Sequence, residues 1–426
     1  MKKLSNTVLL TSVAVTSMLL AGCKTLPSLP QTDPGGKAVS YGAPFSLMPE
    51  RATPNDSTIS MYQDRRSTFI AVRKAQKRLY TIPANSKAPD FSQIKNPMSV
   101  TMERELSNGY ILSYLLFERG VIKYNGVAKQ GRFSSDIDDE TQLYIHSSGK
   151  SVVSYILGHA ICDGYISSID EPLNWPLLSK TLYQGQPLRN LLNMKAGDQH
   201  TTNEGSSHVM GSALHHRDLS LNLVVDSLNG TKKIGDQMFY NNLITDLLFG
   251  YVSFKVGDDY DEFLRKIFQE KIGTKGPVSY EMRKDAWGSY RGKQEIRATH
   301  EFVMTRMDFL RIGVAMMRDY QSQNCVGQYL KEVQSQALRW YKYKGITKPE
   351  DSWRWMNSYA RKYGAQFYFD FDELQGRNIF GLEGRNSQIM MIDMDKSRVV
   401  AVHSAAGAWD PRVFVLDVLK NGEVPH

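Results

Sequence analysis

Strand-forming segments lie toward both ends of the chain, and helix-like segments lie between them. Tyr110 to Phe117 and Val121 to Tyr124 are short apolar runs separated by a glycine-containing turn, which is the pattern of a β-hairpin. Gln388 to Asp393 and Arg398 to Ser404 form a second pair of this kind. The arrangement predicts an α+β fold, with one antiparallel sheet built from both chain ends, flanking helices and a helical middle region.

The segments between the two hairpins have helical patterns. Ser151 to Ile161 places its apolar residues on one helix face, and Asn241 to Val256 is apolar and helical in character. Thr305 to Asp308 has the side chains of a capping-box variant, so we expect a helix to begin there. Asp410 and Pro411 supply an N-cap residue and a proline at the first position of a final helix.

The first residues have the composition of an export signal. Lys2 and Lys3 precede Val8 to Leu20, an apolar run that is too short to span a bilayer comfortably. The run leads into Leu-Ala-Gly-Cys and resembles a bacterial lipoprotein signal, in which Cys23 would be acylated and become the first mature residue. The alternative is a plain secretory signal followed by a chance cysteine. The lysine at position 24 favours the outer membrane, facing the periplasm, in a bacterium with two membranes.

The chain divides into three segments on these grounds. Residues 1–22 are the expected signal peptide, residues 23–60, rich in Pro, Ser, Thr and Gly, are the expected flexible tether, and residues 61–426 are the expected folded domain. Lipidation would anchor this domain to the bacterial cell envelope without a transmembrane helix. Within it, Cys162 and Cys325 either pair in an oxidising compartment or stay as free thiols.

The charge of the chain gives no sign of a nucleic-acid partner. The formal net charge is +8, but Lys and Arg are scattered along the sequence and no recognition motif accompanies them. A basic surface can attract anionic envelope polymers or lipid headgroups. We therefore expect a solvated surface and no nucleic-acid binding.

The pattern Ser-x-x-Lys occurs twice, at Ser92/Lys95 and at Ser147/Lys150. The first copy is followed by an Asn-Pro pair, which ends a helix within a turn, whereas Ser147 opens the apolar-faced helix. One helical turn places the Ser147 hydroxyl and the Lys150 amine on the same face. A serine hydroxyl becomes a strong nucleophile when a base removes its proton, and a desolvated lysine can be that base. Backbone N–H groups at the helix start can also stabilise a developing oxyanion.

Further motifs appear in the order that one family has. Ser147-Ser-Gly-Lys followed by an apolar helix resembles the first motif of serine β-lactamases and penicillin-binding proteins, and Ile169-Asp-Glu-Pro resembles the passage after that helix. Leu188 to Gly197 is similar to the family segment R-x-L-L-x-M-x-S-G, with Ala196 at the usual serine. Tyr240-Asn-Asn is similar to the second motif, Tyr-x-Asn. The likeness is greatest to the class C, esterase and 6-aminohexanoate-dimer hydrolase branch.

This resemblance implies a β-lactamase-like fold, with residues 61–426 as a serine hydrolase domain. Ser147 would attack a carbonyl carbon and form an acyl-enzyme, and Lys150 would take its proton. Tyr240 would be a second proton relay, because a phenol held between cations can ionise near neutral pH. Asn242 would hydrogen bond Lys150 or the substrate amide.

The third motif departs from the family pattern. The family has Lys-Thr-Gly or a His-Gly pair on the strand that lines the site, whereas this chain has Gly-Leu-Glu-Gly ending at Gly384. Glu383 would neutralise Lys150, make it a worse base and repel substrates that carry a carboxylate. Gly384 would leave room for a close backbone approach, and an N–H near Asn386 would complete the oxyanion hole.

Three functions are compatible with these patterns. The first is a serine hydrolase acting on a small-molecule ester or amide; the second is a non-catalytic binding or sensor lipoprotein on the same fold, motivated by Glu383. The third is a peptidoglycan DD-peptidase or a β-lactamase. No cofactor is expected, and no Cys or His spacing indicates a metal site. We assign His200, His208, His215 and His216 to a polar loop, with a metal-binding patch as the alternative.

Overall fold

The computed structural model describes residues 55–75, 79–94, 99–199, 221–282, 288–289, 294–295, 298–342 and 356–426. Cys23, the signal peptide and the four histidines from His200 to His216 lie outside these residues. The strands are β1 (Leu79–Ile82), β2 (Ser92–Gln93), β3 (Ile111–Glu118), β4 (Val121–Val127), β5 (Leu143–Tyr144), β6 (Val278–Met282), β7 (Gly288–Ser289), β8 (Gln294–Glu295), β9 (Ala298–Met304), β10 (Leu338–Arg339), β11 (Ala360–Gly364), β12 (Phe367–Phe371), β13 (Ile379–Gly384), β14 (Gln388–Asp393) and β15 (Arg398–Ser404).

Helices occupy the segments between the strands. The α-helices are α1 (Asp56–Ala75), α2 (Val100–Asn108), α3 (Ser148–Cys162), α4 (Leu188–Leu192), α5 (Leu221–Ser227), α6 (Leu243–Val256), α7 (Tyr260–Arg265), α8 (Arg306–Ser322), α9 (Cys325–Ser335) and α10 (Asp417–Asn421). Short 3₁₀ or π turns lie at Pro176–Leu178, Gly257–Asp259, Lys266–Ile272, Met356–Ser358 and Arg412–Leu416.

Both chain ends build one large sheet, as the sequence predicts. Its strand order is β10-β11-β12-β13-β14-β15-β3-β4-β2. Strand β15 of the C-terminal hairpin pairs antiparallel with β3 of the N-terminal hairpin, with Val402 opposite Tyr114 and Ala401 opposite Leu115. The α+β class and the two hairpins are therefore confirmed.

A second sheet, which the sequence analysis missed, leads into the Ser147 region. Its order is β1-β6-β9-β5, and Leu143 of β5 lies opposite Met304 of β9. Strand β5 has only two residues. A strand this short shows no alternating pattern in sequence, since pairing with β9 rather than local propensity defines it.

Helix α3 runs through the middle of the domain. It packs against β9 and β13 and against helices α6 and α9. Residues 148–160 are all buried. The helix predicted after Ser147 is therefore confirmed, and it is buried on all sides rather than on its apolar face alone, as a central core helix is. Its polar side chains near Ser147 need partners inside the protein.

The two predicted helix starts, at Thr305 and Asp410, are confirmed by N-cap hydrogen bonds. The Thr305 hydroxyl oxygen accepts a hydrogen bond of 3.1 Å from the backbone N–H of Asp308, where α8 begins. The Asp410 carboxylate accepts one of 2.9 Å from the N–H of Arg412, where the last helical segment begins. At the other end of the domain, α1 starts at Asp56, so residues 56–60, which we assigned to the tether, are helical.

Within the described residues, no helix is both long and apolar enough to cross a bilayer.

A disulfide joins Cys162 and Cys325, which settles the alternative that the sequence left open. The two Cα atoms are 5.7 Å apart, and the bridge ties the last residue of α3 to the first residue of α9. The cysteines are 163 positions apart in sequence, so the bridge closes a long loop in the unfolded chain.

Replacing both cysteines with serine should lower the free energy of unfolding by about 2–5 kcal/mol, because the unfolded chain gains the freedom of the open loop. Urea denaturation with and without dithiothreitol measures the effect. Wild-type protein in dithiothreitol should fall to the level of the double variant, which should itself be insensitive to the reductant. Equal stability of wild type in both conditions would contradict the pairing.

Candidate active site

Ser147 lies where a strand of the small sheet turns into the central helix. The backbone N–H of Ile145 still pairs with the carbonyl of Phe302, at 3.1 Å, and His146 then adopts a φ of +48°. Ser147 follows as the N-cap residue of α3. The N–H groups of Ser148 and Gly149 donate to the carbonyls of Ile145 and His146. These two amides are therefore occupied, although the helix start was expected to offer donors to an oxyanion.

The side chains of Ser147 and Lys150 are in direct contact. The Lys150 Nζ lies 2.9 Å from the Ser147 Oγ, within hydrogen-bond distance. Lys150 is only 1% exposed, whereas Ser147 is half-buried. Burial disfavours charge on an amine, which is the condition under which a lysine accepts a proton. The hydroxyl of a half-buried serine thus contacts the amine of a buried lysine.

Hydrogen bonds from two hairpins fix the first turn of α3. The Ser148 hydroxyl donates to the carbonyl of Gln388 at the start of β14, at 2.8 Å. The Ser151 hydroxyl donates to the carbonyl of Gln366, in the turn between β11 and β12, at 2.5 Å. The serines that flank Ser147 and Lys150 in sequence therefore have structural roles.

Gly384 sits against the backbone that precedes Ser147. A Cβ atom at this position would come 2.1 Å from the carbonyl oxygen of Ile145 and 3.0 Å from the Cβ of His146. No side chain fits there without a backbone shift, so glycine is required for the close approach. The end of β13 and the residues that follow it consequently lie beside the nucleophile turn.

Tyr240 covers the amine of Lys150. The Lys150 Nζ lies 4.9 Å from the centroid of the Tyr240 ring, and the Nζ of Lys342 lies 5.7 Å from the same centroid. Both distances are within the range of cation–π attraction. Tyr240 thus has the Nζ atoms of two lysines close to its ring, one on a buried side chain and one on an exposed side chain.

The segment that resembles the family's R-x-L-L motif holds Tyr240 in place. The N–H of Phe239 donates to the carbonyl of Met194, at 2.8 Å. The side-chain amide of Asn241 donates to Asp198, at 2.9 Å, and its oxygen accepts from the N–H of Ile244 in the first turn of α6. Hydrogen bonds therefore join the segment around Met194 and Asp198 to the segment around Tyr240.

Asn242 and Asn241 differ in what their side chains do. Asn242 is the N-cap residue of α6 but its side chain caps no backbone N–H, and it is half-buried. Asn241 is fully buried and makes the structural contacts. Asn242 is therefore the one of the two that stays available to a substrate, although no contact between Asn242 and Lys150 stands among those described.

Aromatic side chains surround Tyr240 on the side away from α3. Trp340 and Tyr363 approach its ring edge-on, with centroids 6.1 and 6.0 Å away. Trp340 and Tyr363 stack on each other at 5.0 Å, and Tyr368 packs against both. Burial raises the pKa of the Tyr363 and Tyr368 phenols well above 10, so these two stay protonated. They form a neutral wall beside the two lysines.

The carboxylate of Glu383 is held by backbone amides. It accepts hydrogen bonds from the N–H groups of Met356, at 2.8 Å, and Asn357, at 2.7 Å. Burial raises the Glu383 pKa to about 7, against the opposing effect of these hydrogen bonds. We expected Glu383 to neutralise Lys150. Its two oxygens instead accept hydrogen bonds from the turn at Met356–Ser358.

Asn386 and Ser92 complete the sequence candidates. Asn386 is buried, has a φ of +60° and lies in the turn between β13 and β14, next to Gly384. Its side-chain N–H₂ group has no hydrogen-bond partner in the described structure. Ser92, of the other Ser-x-x-Lys copy, lies exposed on edge strand β2, far in the sheet order from β13 and β14.

Two neighbours of the site were missed from the sequence. Lys342 follows β10 and reaches Tyr240 only because β10 pairs with β11. The His146 Nδ1 lies 3.3 Å from Glu301 in β9, a contact across 155 positions. Neither the Lys342–Tyr240 contact nor the His146–Glu301 contact can be read from local sequence, because each joins residues that are far apart in the chain. Among the described residues, no cluster of His, Cys, Asp or Glu has the geometry to hold a metal ion.

Comparison with known proteins shows what the fold is. No protein-family model and no curated protein sequence matches the chain. A Bacillus anthracis protein with the provisional name 6-aminohexanoate-dimer hydrolase superposes with a TM-score of 0.54 and 13% identity, over 87% of this chain and 96% of that one. A Rhodobacter sphaeroides class C β-lactamase gives 0.46 and 14%, over 70% and 91%. The superposition on the Bacillus anthracis protein shows that the fold is β-lactamase-like.

A third solved structure matches the chain at a similarly low sequence identity. A D-stereospecific amidohydrolase from Streptomyces gives a TM-score of 0.49 and 14% identity, over 77% of this chain and all of that one. At these identities the likeness concerns the fold alone. The fold class expected from the sequence is confirmed, and the chemistry has to be argued from the site.

The raised pKa of Glu383 predicts a pH-dependent stability that Glu383→Gln removes. The folded-state pKa of about 7 exceeds the ordinary value of 4.5, so the contribution of this group is fully present below pH 4.5 and lost as the pH rises through 7. At about 1.4 kcal/mol per pH unit, wild type should lose about 3 kcal/mol relative to Glu383→Gln between these limits.

Urea denaturation of both proteins at a series of pH values measures this difference. The exposed Glu140→Gln serves as the control and should follow wild type throughout. Parallel pH profiles for wild type and Glu383→Gln would show that Glu383 is ionised alike in the folded and unfolded chain.

Proposed function

We propose that the protein is a serine hydrolase that cleaves a small ester or amide through an acyl-enzyme on Ser147. The observation that carries the proposal is the 2.9 Å contact between the half-buried Ser147 hydroxyl and the buried Lys150 amine. An alcohol becomes a nucleophile when an adjacent base takes its proton, and these two groups have the required distance. The β-lactamase-like fold supports the same reading.

In the acylation step, the neutral amine of Lys150 takes the hydroxyl proton while the Ser147 oxygen bonds to the substrate carbonyl carbon. The bond to the leaving alcohol or amine then breaks, and the leaving group receives a proton through Tyr240. In deacylation, a water molecule gives a proton to the same groups while its oxygen bonds to the acyl carbon. The bond from this carbon to the Ser147 oxygen then breaks, the carboxylic acid leaves, and the Ser147 oxygen takes the proton back. Once Lys150 carries a proton, two ammonium groups lie near the Tyr240 ring and favour transient negative charge on its oxygen.

The oxyanion of the tetrahedral intermediate needs donors other than Ser148 and Gly149, whose amides are already bonded. We assign this role to the backbone N–H groups of the turn after Gly384, near Asn386. The close approach of Gly384 to Ile145 brings this turn beside Ser147. Preorganised backbone donors of this kind stabilise charge that develops during acyl transfer.

The charge around the site is compatible with a substrate that carries a carboxylate. The Glu383 carboxylate is occupied by two backbone N–H groups, and Lys342 offers an exposed ammonium beside Tyr240. Glu383 alone motivated the expectation that the site repels carboxylate-bearing substrates and the alternative of a non-catalytic lipoprotein. Lys342 instead favours a peptidoglycan DD-peptidase or β-lactamase as the second candidate, for which acylation by a labelled penicillin is the test.

We also propose that the protein is a lipoprotein of the bacterial cell envelope, anchored through Cys23 to the outer membrane and facing the periplasm. The Leu-Ala-Gly-Cys ending of the apolar run supports this. Labelled palmitate should enter the full chain and should be absent from Cys23→Ala. Equal labelling of both would contradict the anchor, and no labelling of either would leave a plain secretory signal.

Hydrolysis of a panel of p-nitrophenyl esters and p-nitroanilides tests the catalytic proposal. Ser147→Ala should abolish turnover, since no nucleophile remains. Lys150→Met should lower kcat/KM by about 10²–10⁴-fold, which is the range for a positioned general base. Ser92→Ala removes the other serine of the Ser-x-x-Lys pattern and should act as wild type.

Hydrolysis that survives Ser147→Ala unchanged would contradict the assignment of the nucleophile. Hydrolysis by Lys150→Met at the wild-type rate would contradict the assignment of the base.

A further inference from the structure

The residue immediately before Ser147 has an unfavourable backbone conformation. His146 has a φ of +48°, in the left-handed region that only a few per cent of non-glycine residues adopt, although Asn, Asp and His adopt it more often than the others. Such a conformation costs about 1–3 kcal/mol and persists only where surrounding contacts enforce it. The contacts that enforce it here therefore determine where Ser147 points.

The side chain of His146 is held inside the protein by a carboxylate. The Nδ1 of His146 lies 3.3 Å from Oε2 of Glu301 in β9, and the two side chains are 4% and 5% exposed. The imidazole also lies against Tyr144, with ring centroids 5.9 Å apart and planes 18° apart. The Tyr144 hydroxyl in turn donates to Glu281 in β6, at 3.2 Å. Side chains from β5, β6 and β9 thus converge on the nucleophile turn.

The opposite side of this turn is fixed by the large sheet. Gly384 of β13 abuts the backbone of Ile145 and His146. The carbonyl of His146 accepts from the N–H of Gly149 at 2.9 Å, which closes the first turn of α3. The backbone of His146 is therefore held between the two sheets, and its side chain contacts Glu301 and Tyr144 of the small sheet.

We propose that His146 and Glu301 are positioning residues that hold the turn before Ser147 and so keep its hydroxyl within reach of Lys150. Neither side chain touches the reacting atoms in this role. The inference rests on the proposed function, since positioning is read out through the reactivity of Ser147. It predicts that a side chain which tolerates the backbone conformation and still bonds Glu301 can replace the imidazole.

The test uses four variants of the full chain and a fluorophosphonate probe, measuring the maximal rate constant of acylation and the half-saturating probe concentration. His146→Asn keeps the left-handed conformation and places an amide N–H where Nδ1 stands, so its maximal rate should stay within about 3-fold of wild type. His146→Gly and Glu301→Leu lose the link and should fall about 10²-fold in maximal rate with little change in half-saturation. The variant that combines His146→Gly with Glu301→Leu should have the same maximal rate as either single variant, because both changes remove the same contact.

His159→Asn is the control for loss of a buried histidine, since His159 lies in α3 away from Ser147 and burial lowers its pKa to about 4. It should acylate as wild type does. Urea denaturation of each variant separates a loss of positioning from a loss of fold.

Wild-type acylation rates in both His146→Gly and Glu301→Leu would overturn the inference while leaving the proposed function in place. A His146→Asn protein as slow as His146→Gly would overturn it in favour of imidazole chemistry. If the probe does not label Ser147 of the wild type, the proposed function is wrong, but the positioning role is still testable. Crystal structures of the variants then test it through the Ser147–Lys150 distance. A Ser147–Lys150 distance kept in His146→Asn and lost in His146→Gly would support it, and an unchanged distance in both would overturn it.

Discussion

The contact between the Ser147 hydroxyl and the Lys150 amine depends on burying a lysine inside a helix-centred core. Lys150 is almost fully buried, and its amine has the serine oxygen on one side and the face of Tyr240 on the other. Burial of an ammonium group is costly, so burial disfavours the charged form of an amine. In the proposed mechanism, the same burial that costs free energy of folding lets Lys150 accept the Ser147 proton.

Much of the domain can be understood as support for that one turn of helix. Ser148 anchors its start to the β13–β14 hairpin and Ser151 anchors it to the β11–β12 hairpin, and the disulfide from Cys162 fixes its far end to α9. The two sheets hold the preceding turn from opposite sides, through Gly384 and through Glu301. Sites built on rigid elements keep distances within a few tenths of an ångström, which acyl transfer requires.

The fold and the central pair could be predicted from sequence because their signals are local. Two hairpins, a helix after Ser147 and the caps at Thr305 and Asp410 each fit in a window of a few residues. Strand β5, Lys342 and Glu301 could not, because their roles come from pairing between distant strands. Glu383 lies on β13, and its expected effect on Lys150 stays a prediction. The two backbone N–H groups that bind its carboxylate could not be predicted, because they belong to a turn 26 and 27 positions earlier in the chain.

The most direct measurement of the central claim is intact-protein mass spectrometry after reaction with a serine-directed covalent probe, followed by mapping of the adduct to a peptide. The account predicts one probe mass per chain, on the peptide that contains Ser147, and a large loss of this adduct when Lys150 is replaced by methionine. A protein that takes up no probe, or takes it up on another serine, would contradict the assignment of this hydroxyl and this amine as the reactive pair.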